Sequence, residues 1–239
     1  MKYEKILNSS WRIFIIVMAV ILLFITFADV KIESFYGPNL YAMILILAFF
    51  AEYVDSSLGM GYGTTLTPIL IILGFNPLQI VPCILLSEFI SGISAGLLHH
   101  HAGNVNLSKG TKAHKSMLIL AACSIAGTIV AVILALKLPK MIVQSYIGVM
   151  ILFIGIFVLY GKRFSGKFSY KKIFALGTIA AFNKGISGGG YGPLVTGGQV
   201  LIGVPEKSAI GITSFAEGIV CFVGLILYIA FSGLPYWEL

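Results

Sequence analysis

Charge is what this sequence has least of. Its 239 residues include 16 basic and 9 acidic side chains, 10% of the chain, where soluble domains carry roughly 25%. Too few charges remain to clothe the outer faces of a soluble fold. Cysteine is also scarce. Cys83, Cys123 and Cys221 each lie inside an apolar segment without metal-ligand spacing, which excludes a disulfide framework and a zinc site and leaves them as small hydrophobes. The sequence has no phosphate loop ending in Gly-Lys-Ser/Thr and no Ser, His and Asp arrangement of a nucleophilic site. ATP drive within the chain and acyl-transfer chemistry are therefore not expected, and no cofactor is implied.

What is abundant is apolar. Hydrophobic residues make up 58% of the chain and the mean hydropathy is +0.99. Apolar stretches of about 18 to 24 residues follow one another with short polar breaks, the pattern of an all-α polytopic membrane protein. The formal charge of +7 sits in connecting loops rather than along one helix face, so it reads as a topology signal and not as a nucleic-acid surface. Lys2, Lys5 and Arg12 precede an apolar run over 13–28 without a small-residue cleavage site, and this run is expected to be a retained first helix. Further segments are expected over 40–58, 66–74, 78–98, 116–136, 141–160, 173–186, 194–204 and 208–231.

Two of these segments end in similar glycine clusters, and an offset of 129 superposes them. Gly59 falls on Gly188, Gly61 on Gly190, and Tyr62-Gly63 on Tyr191-Gly192, while Thr67 falls on Thr196 and Glu88 on Glu217. The match reads as an internal repeat. With five membrane segments per repeat, an odd number, the second copy runs in the opposite sense, which predicts two inverted-topology repeats with helices broken at glycine-rich motifs. The organisation expected is an N-terminal helix and loop over 1–39, a first repeat over 40–161 and a second over 162–239. Lysine and arginine counts put the N-terminus, the loop with Lys109, Lys112 and Lys115, and the loop from Lys162 to Lys172 on the cytoplasmic side.

Broken helices inside a bilayer leave backbone amides that must line a cavity or be buried in protein. Helix N-termini starting after the breaks aim N–H groups and the positive dipole end at the enclosed space, an arrangement suited to an anion. The candidate substrate-binding residues are accordingly Ser56, Ser57, Gly59, Gly61, Tyr62, Gly63 and Thr64 at the first break and Lys184, Ser187, Gly188, Gly190, Tyr191 and Gly192 at the second. The same glycines also suit close helix packing alone. Glu88 and Glu217 sit deep in apolar helices, where a charge costs about 2.5–3.5 kcal/mol. They are candidates for coupling or gating, or for structural locks between the repeats. Lys184 has three roles open to it: counter-charge for an anion, partner of a carboxylate, or a side chain snorkelling to the surface. His99-His100-His101 raises a metal site, hence a metal-dependent membrane enzyme as an alternative function, but consecutive helical positions diverge and supporting ligands are missing. A membrane assembly protein without a substrate is the other alternative.

The residues Ser56-Ser57-Leu58-Gly59-Met60-Gly61-Tyr62-Gly63 with Pro68, Gly74-Phe75 and Gly103-Asn104-Val105, together with the second motif Gly188 to Gly192 and Pro193, resemble the sulfite exporter TauE/SafE family. The resemblance covers about 41–231 and implies a multi-pass permease of the cytoplasmic membrane that moves sulfite, sulfonates or related sulfur oxyanions. Tyr62 and Tyr191 interrupt the family's usual run of glycines. By the offset, the pair of segments over 116–160 lacks a counterpart in the second repeat. That repeat is expected to be truncated, either because the chain itself is shortened or because a second chain or a homo-oligomer supplies the missing pair.

Overall fold

The computed structural model describes residues 38–160 and 167–233. The apolar run over 13–28 and most of the loop after it lie outside the described residues, as does the stretch holding Lys162 and Arg163. Among the described residues the secondary structure is entirely helical: α1 Pro38–Leu58, α2 Tyr62–Ile72, α3 Pro77–His101, α4 Lys112–Lys137, α5 Lys140–Tyr160, α6 Tyr170–Ser187, α7 Tyr191–Leu201 and α8 Glu206–Ser232. Five helices, α1, α3, α4, α5 and α8, are long and apolar enough to cross a membrane. The chain is a multi-pass membrane protein.

Local side-chain signals explain the starts of α3 and α4. Asn76 and Gln79 form a reciprocal capping box at α3, where the Asn76 side chain accepts from the Leu78 N–H and the Gln79 side chain accepts from the Asn76 N–H, with Pro77 opening the first turn. The Thr111 hydroxyl accepts from the His114 N–H at the start of α4. The two short helices differ. Neither α2 nor α7 has a side-chain cap, and each begins directly on a glycine, Gly61 or Gly190. Both start three or four residues before the apolar segments read from the sequence at 66 and 194, because the Gly/Thr/Pro residues at these starts give no apolar signal.

Two helix pairs form the core, and small residues set how closely each can approach. Helices α4 and α6 run parallel, with Gly177 against Leu120 and Cys123, Gly127 against Thr178 and Ala181, and Gly185 against Thr128 and Ala131. Helices α3 and α8 run antiparallel, with Gly224 against Leu85, Gly218 against Ile93, Gly92 against the Ser214 carbonyl, and Gly96 against Phe215. A Cβ at Gly92 would lie 2.8 Å from that carbonyl oxygen, so both seams depend on absent side chains. Helix α1 packs on one side only. Its Leu45, Phe49, Phe50 and Tyr53 are exposed, whereas Ile173, Ala180 and Ala181 of α6 are fully buried.

Candidate functional site

The two glycine breaks meet each other. Backbone and backbone come so close at Gly63 that a Cβ there would overlap the Gly188 carbonyl, and a Cβ at Gly192 would lie 2.5 Å from the Gly59 carbonyl oxygen. Each contact pairs positions that the offset of 129 exchanges. Hydroxyls tie the same places together: Thr67 donates to the Ser187 carbonyl at 2.8 Å, and Thr196 donates to the Gly59 carbonyl at 2.9 Å. The Gly190 N–H donates to Thr64 Oγ1 at 3.1 Å. Left-handed backbone at Gly188 (φ 71) and Gly190 (φ 81) lets α6 end and α7 begin within three residues, a conformation that costs glycine little.

The threonine pair yields a direct expectation. Thr67→Val and Thr196→Val each keep shape and strand one break carbonyl, so each should lower stability by about 1 kcal/mol, with the double variant read by denaturant titration in detergent. No loss in either single variant would mean that these bonds do not hold the breaks together.

Behind the breaks lies a buried ionic group. Lys184 on α6 contacts the Glu88 carboxylate of α3 and donates to Glu217 Oε1 of α8 at 2.8 Å, and the three residues are 1%, 2% and 4% exposed. Lys184 therefore does not snorkel to the surface. Its ammonium is bound to protein carboxylates and is not a free counter-charge. The other Glu88 oxygen, Oε1, accepts from the Gly63 N–H at 3.2 Å, and Asp55 Oδ1 accepts from the Tyr62 N–H at 3.3 Å. The first two amides of α2 thus face carboxylates. At the second break the amides of Gly189 and Gly190 instead meet the hydroxyls of Ser187 and Thr64.

The remaining candidates are dispersed around this centre. Ser56 donates to Glu52 Oε1 at 2.7 Å, whereas Ser57 is exposed and bonds back to the Tyr53 carbonyl of its own helix. Tyr191 is fully buried with its hydroxyl 3.3 Å from Ser124 Oγ, and Tyr62 is 8% exposed. Ser187 also donates to the Asn183 carbonyl at 2.7 Å. Gly61, in contrast to its neighbours, opposes no backbone: a Cβ there would make ordinary contact with Val54 at 3.5 Å, although its φ of 138 disfavours any side chain. Asp55, Asn183 with its partner Tyr146, and Gln199 with Thr213 were not singled out as site residues from the sequence. A polar residue one or two turns from a break, buried in an apolar helix, was the available signal for the first two.

Two histidines of the triplet are committed elsewhere. His99 Nε2 lies 3.1 Å from the Ser56 carbonyl and its Nδ1 2.9 Å from Asn104, while His100 Nδ1 accepts from the Leu107 N–H. No group of three His, Cys, Asp or Glu residues among the described residues is placed to hold a metal.

A multi-pass helical membrane protein whose two broken helices meet at glycine backbones has a counterpart among known families. The sequence profile of the sulfite exporter TauE/SafE family matches residues 44–239, and the chain belongs to that family. It is 30% identical over 189 residues to the probable membrane transporter protein YtnM of Bacillus subtilis (strain 168), which covers 73% of this chain and 60% of that protein. It is 29% identical over 119 residues to the probable membrane transporter protein ORF9 of Sinorhizobium sp, covering 50% of this chain and 42% of that one. The chain thus spans about three fifths or less of the curated relatives it matches. These are names of transporters rather than enzymes. No solved structure matches the chain significantly.

Proposed function

We propose that the protein is a permease of the cytoplasmic membrane for a small anion, a sulfur oxyanion such as sulfite or a sulfonate, working by alternating access between two inverted repeats. The observation that carries this reading is the meeting of the two glycine breaks, from which α2 and α7 start. Two features support it. Helices α3 and α8, which the offset of 129 relates, run antiparallel, and the contacts Gly63 to Gly188 and Gly192 to Gly59 exchange under the same offset. Both helix starts aim amides at the meeting place, at α2 toward the carboxylates of Asp55 and Glu88 and at Gly190 toward the Thr64 hydroxyl, and such amides are what an oxyanion would use for binding.

The experiment is a stabilisation scan of purified protein with sulfite, thiosulfate, methanesulfonate, acetate and divalent metals, followed by flux of the stabilising anion in proteoliposomes. A ligand at about one hundred times its Kd should stabilise by about 2.7 kcal/mol. Stabilisation by a sulfur oxyanion with flux above empty vesicles is expected. Stabilisation by a metal alone, or none by any anion, would overturn the reading.

A further inference from the structure

The centre described above has the wrong sign for an anion. Glu88 and Glu217 share one ammonium, and Glu52 and Asp55 of α1 stand within electrostatic reach of both Lys184 and Glu217. With both of its carboxylates ionised, the group of Lys184, Glu88 and Glu217 alone carries a net charge of −1, close to the helix end where an anion is to bind. A further anion entering that field is repelled, and low-dielectric surroundings strengthen the repulsion. Carboxylates also hold the first amides of α2: Asp55 accepts from Tyr62, and Glu88 accepts from Gly63. The chain supplies its own anions to the helix end.

Other groups facing Glu88 do not relieve this. Cys221 of α8 places its Sγ 3.7 Å from Glu88 Oε2, and a thiol adds no positive charge. Lys184 is already shared with Glu217. Beside the cluster, the Glu52 carboxylate and the Ser91 hydroxyl of α3 face each other, and neither brings a positive charge.

We propose that Glu88, assisted by Asp55, is a tethered competitor of the transported anion, and that the anion binds only with a proton. The proton comes from the aqueous phase on the side from which the anion enters and is carried on the carboxylate. The neutral acid then gives up the Gly63 amide to the anion, and the proton leaves with the anion on the far side. Glu217, which has no amide of a helix start in its contacts, is a positioning residue that holds Lys184. This proposal rests on the permease reading and assigns it a coupling ion.

Methanesulfonate and thiosulfate are suitable probes, because their charge is constant from about pH 5.5 to about pH 8.5. In wild-type protein the apparent Kd for whichever binds should rise about tenfold per pH unit once the carboxylate is ionised, and by reciprocity binding should take up about one proton per anion in weakly buffered solution. Glu88→Gln should flatten the dependence, Asp55→Asn with Glu88→Gln should abolish it, and Glu88→Asp should restore it. Proton uptake by the wild-type protein needs no variant, so a misfolded Glu88→Gln still leaves the test decisive. Anion binding with no proton uptake, or a double variant as pH-dependent as wild type, would overturn the coupling and leave the permease reading standing. Binding of neither anion at any pH, with no stabilisation by sulfite or acetate either, would remove both.

Discussion

Lys184→Met should be the most damaging single substitution in the chain, lowering stability by about 3–5 kcal/mol in a denaturant titration of the purified protein. The methionine fills a similar space, so packing is not what fails. What remains is two carboxylates, 2% and 4% exposed, in a helix core with their common cation gone. Glu88→Gln and Glu217→Gln added to Lys184→Met remove both stranded charges, and this triple variant should regain most of the loss. A Lys184→Met protein as stable as wild type would mean that the carboxylates become protonated, or are reached by water or another cation, once the lysine is gone.

Gly63→Ala and Gly192→Ala form the second large effect. Each adds one methyl group where the opposing break presents backbone, the Gly188 carbonyl in one case and the Gly59 carbonyl and Met60 Cα in the other. Backbone cannot turn aside as a side chain can. Overpacking of this kind costs about 1–3 kcal/mol, and the two breaks would have to separate. Gly148→Ala on α5, where nothing lies within 4 Å of the added carbon, is the matched control and should be close to neutral. Equal behaviour of all three variants, read by thermal unfolding and by retention of a monodisperse peak, would show that the breaks are not in contact.

Much of this arrangement was legible in the sequence because it is written locally. An apolar run long enough to span, a glycine cluster that ends it and a lone glutamate inside the next run are each visible within about twenty residues. The helix starts at Tyr62 and Tyr191 were less so, since glycine, threonine and proline read as loop until packing against the other break overrides them. The fate of Lys184 was not legible at all. Its sequence context, one cation near the end of an apolar helix, fits snorkelling, binding an anion or pairing equally well. Only the crossing of α3, α6 and α8 brings Glu88 and Glu217 to it, and that crossing is set by glycines and alanines at several separate seams. The histidine triplet shows the opposite case: a conspicuous local pattern, which diverging helical positions already argued against as a metal site, is used in part for the last turn of α3 and the loop after it.

The shared lysine also bears on how the protein is made. During synthesis α3 reaches the bilayer with Glu88 long before α6 delivers Lys184, and Glu217 arrives later still on α8. In that interval Glu88 enters the membrane as a protonated acid or waits at the level of the lipid headgroups, since an ionised carboxylate at mid-membrane costs about 2.5–3.5 kcal/mol. Insertion of α3 is therefore provisional, and the arrival of α6 fixes its depth. The biogenesis of this fold thus runs from charge deferred to charge paired.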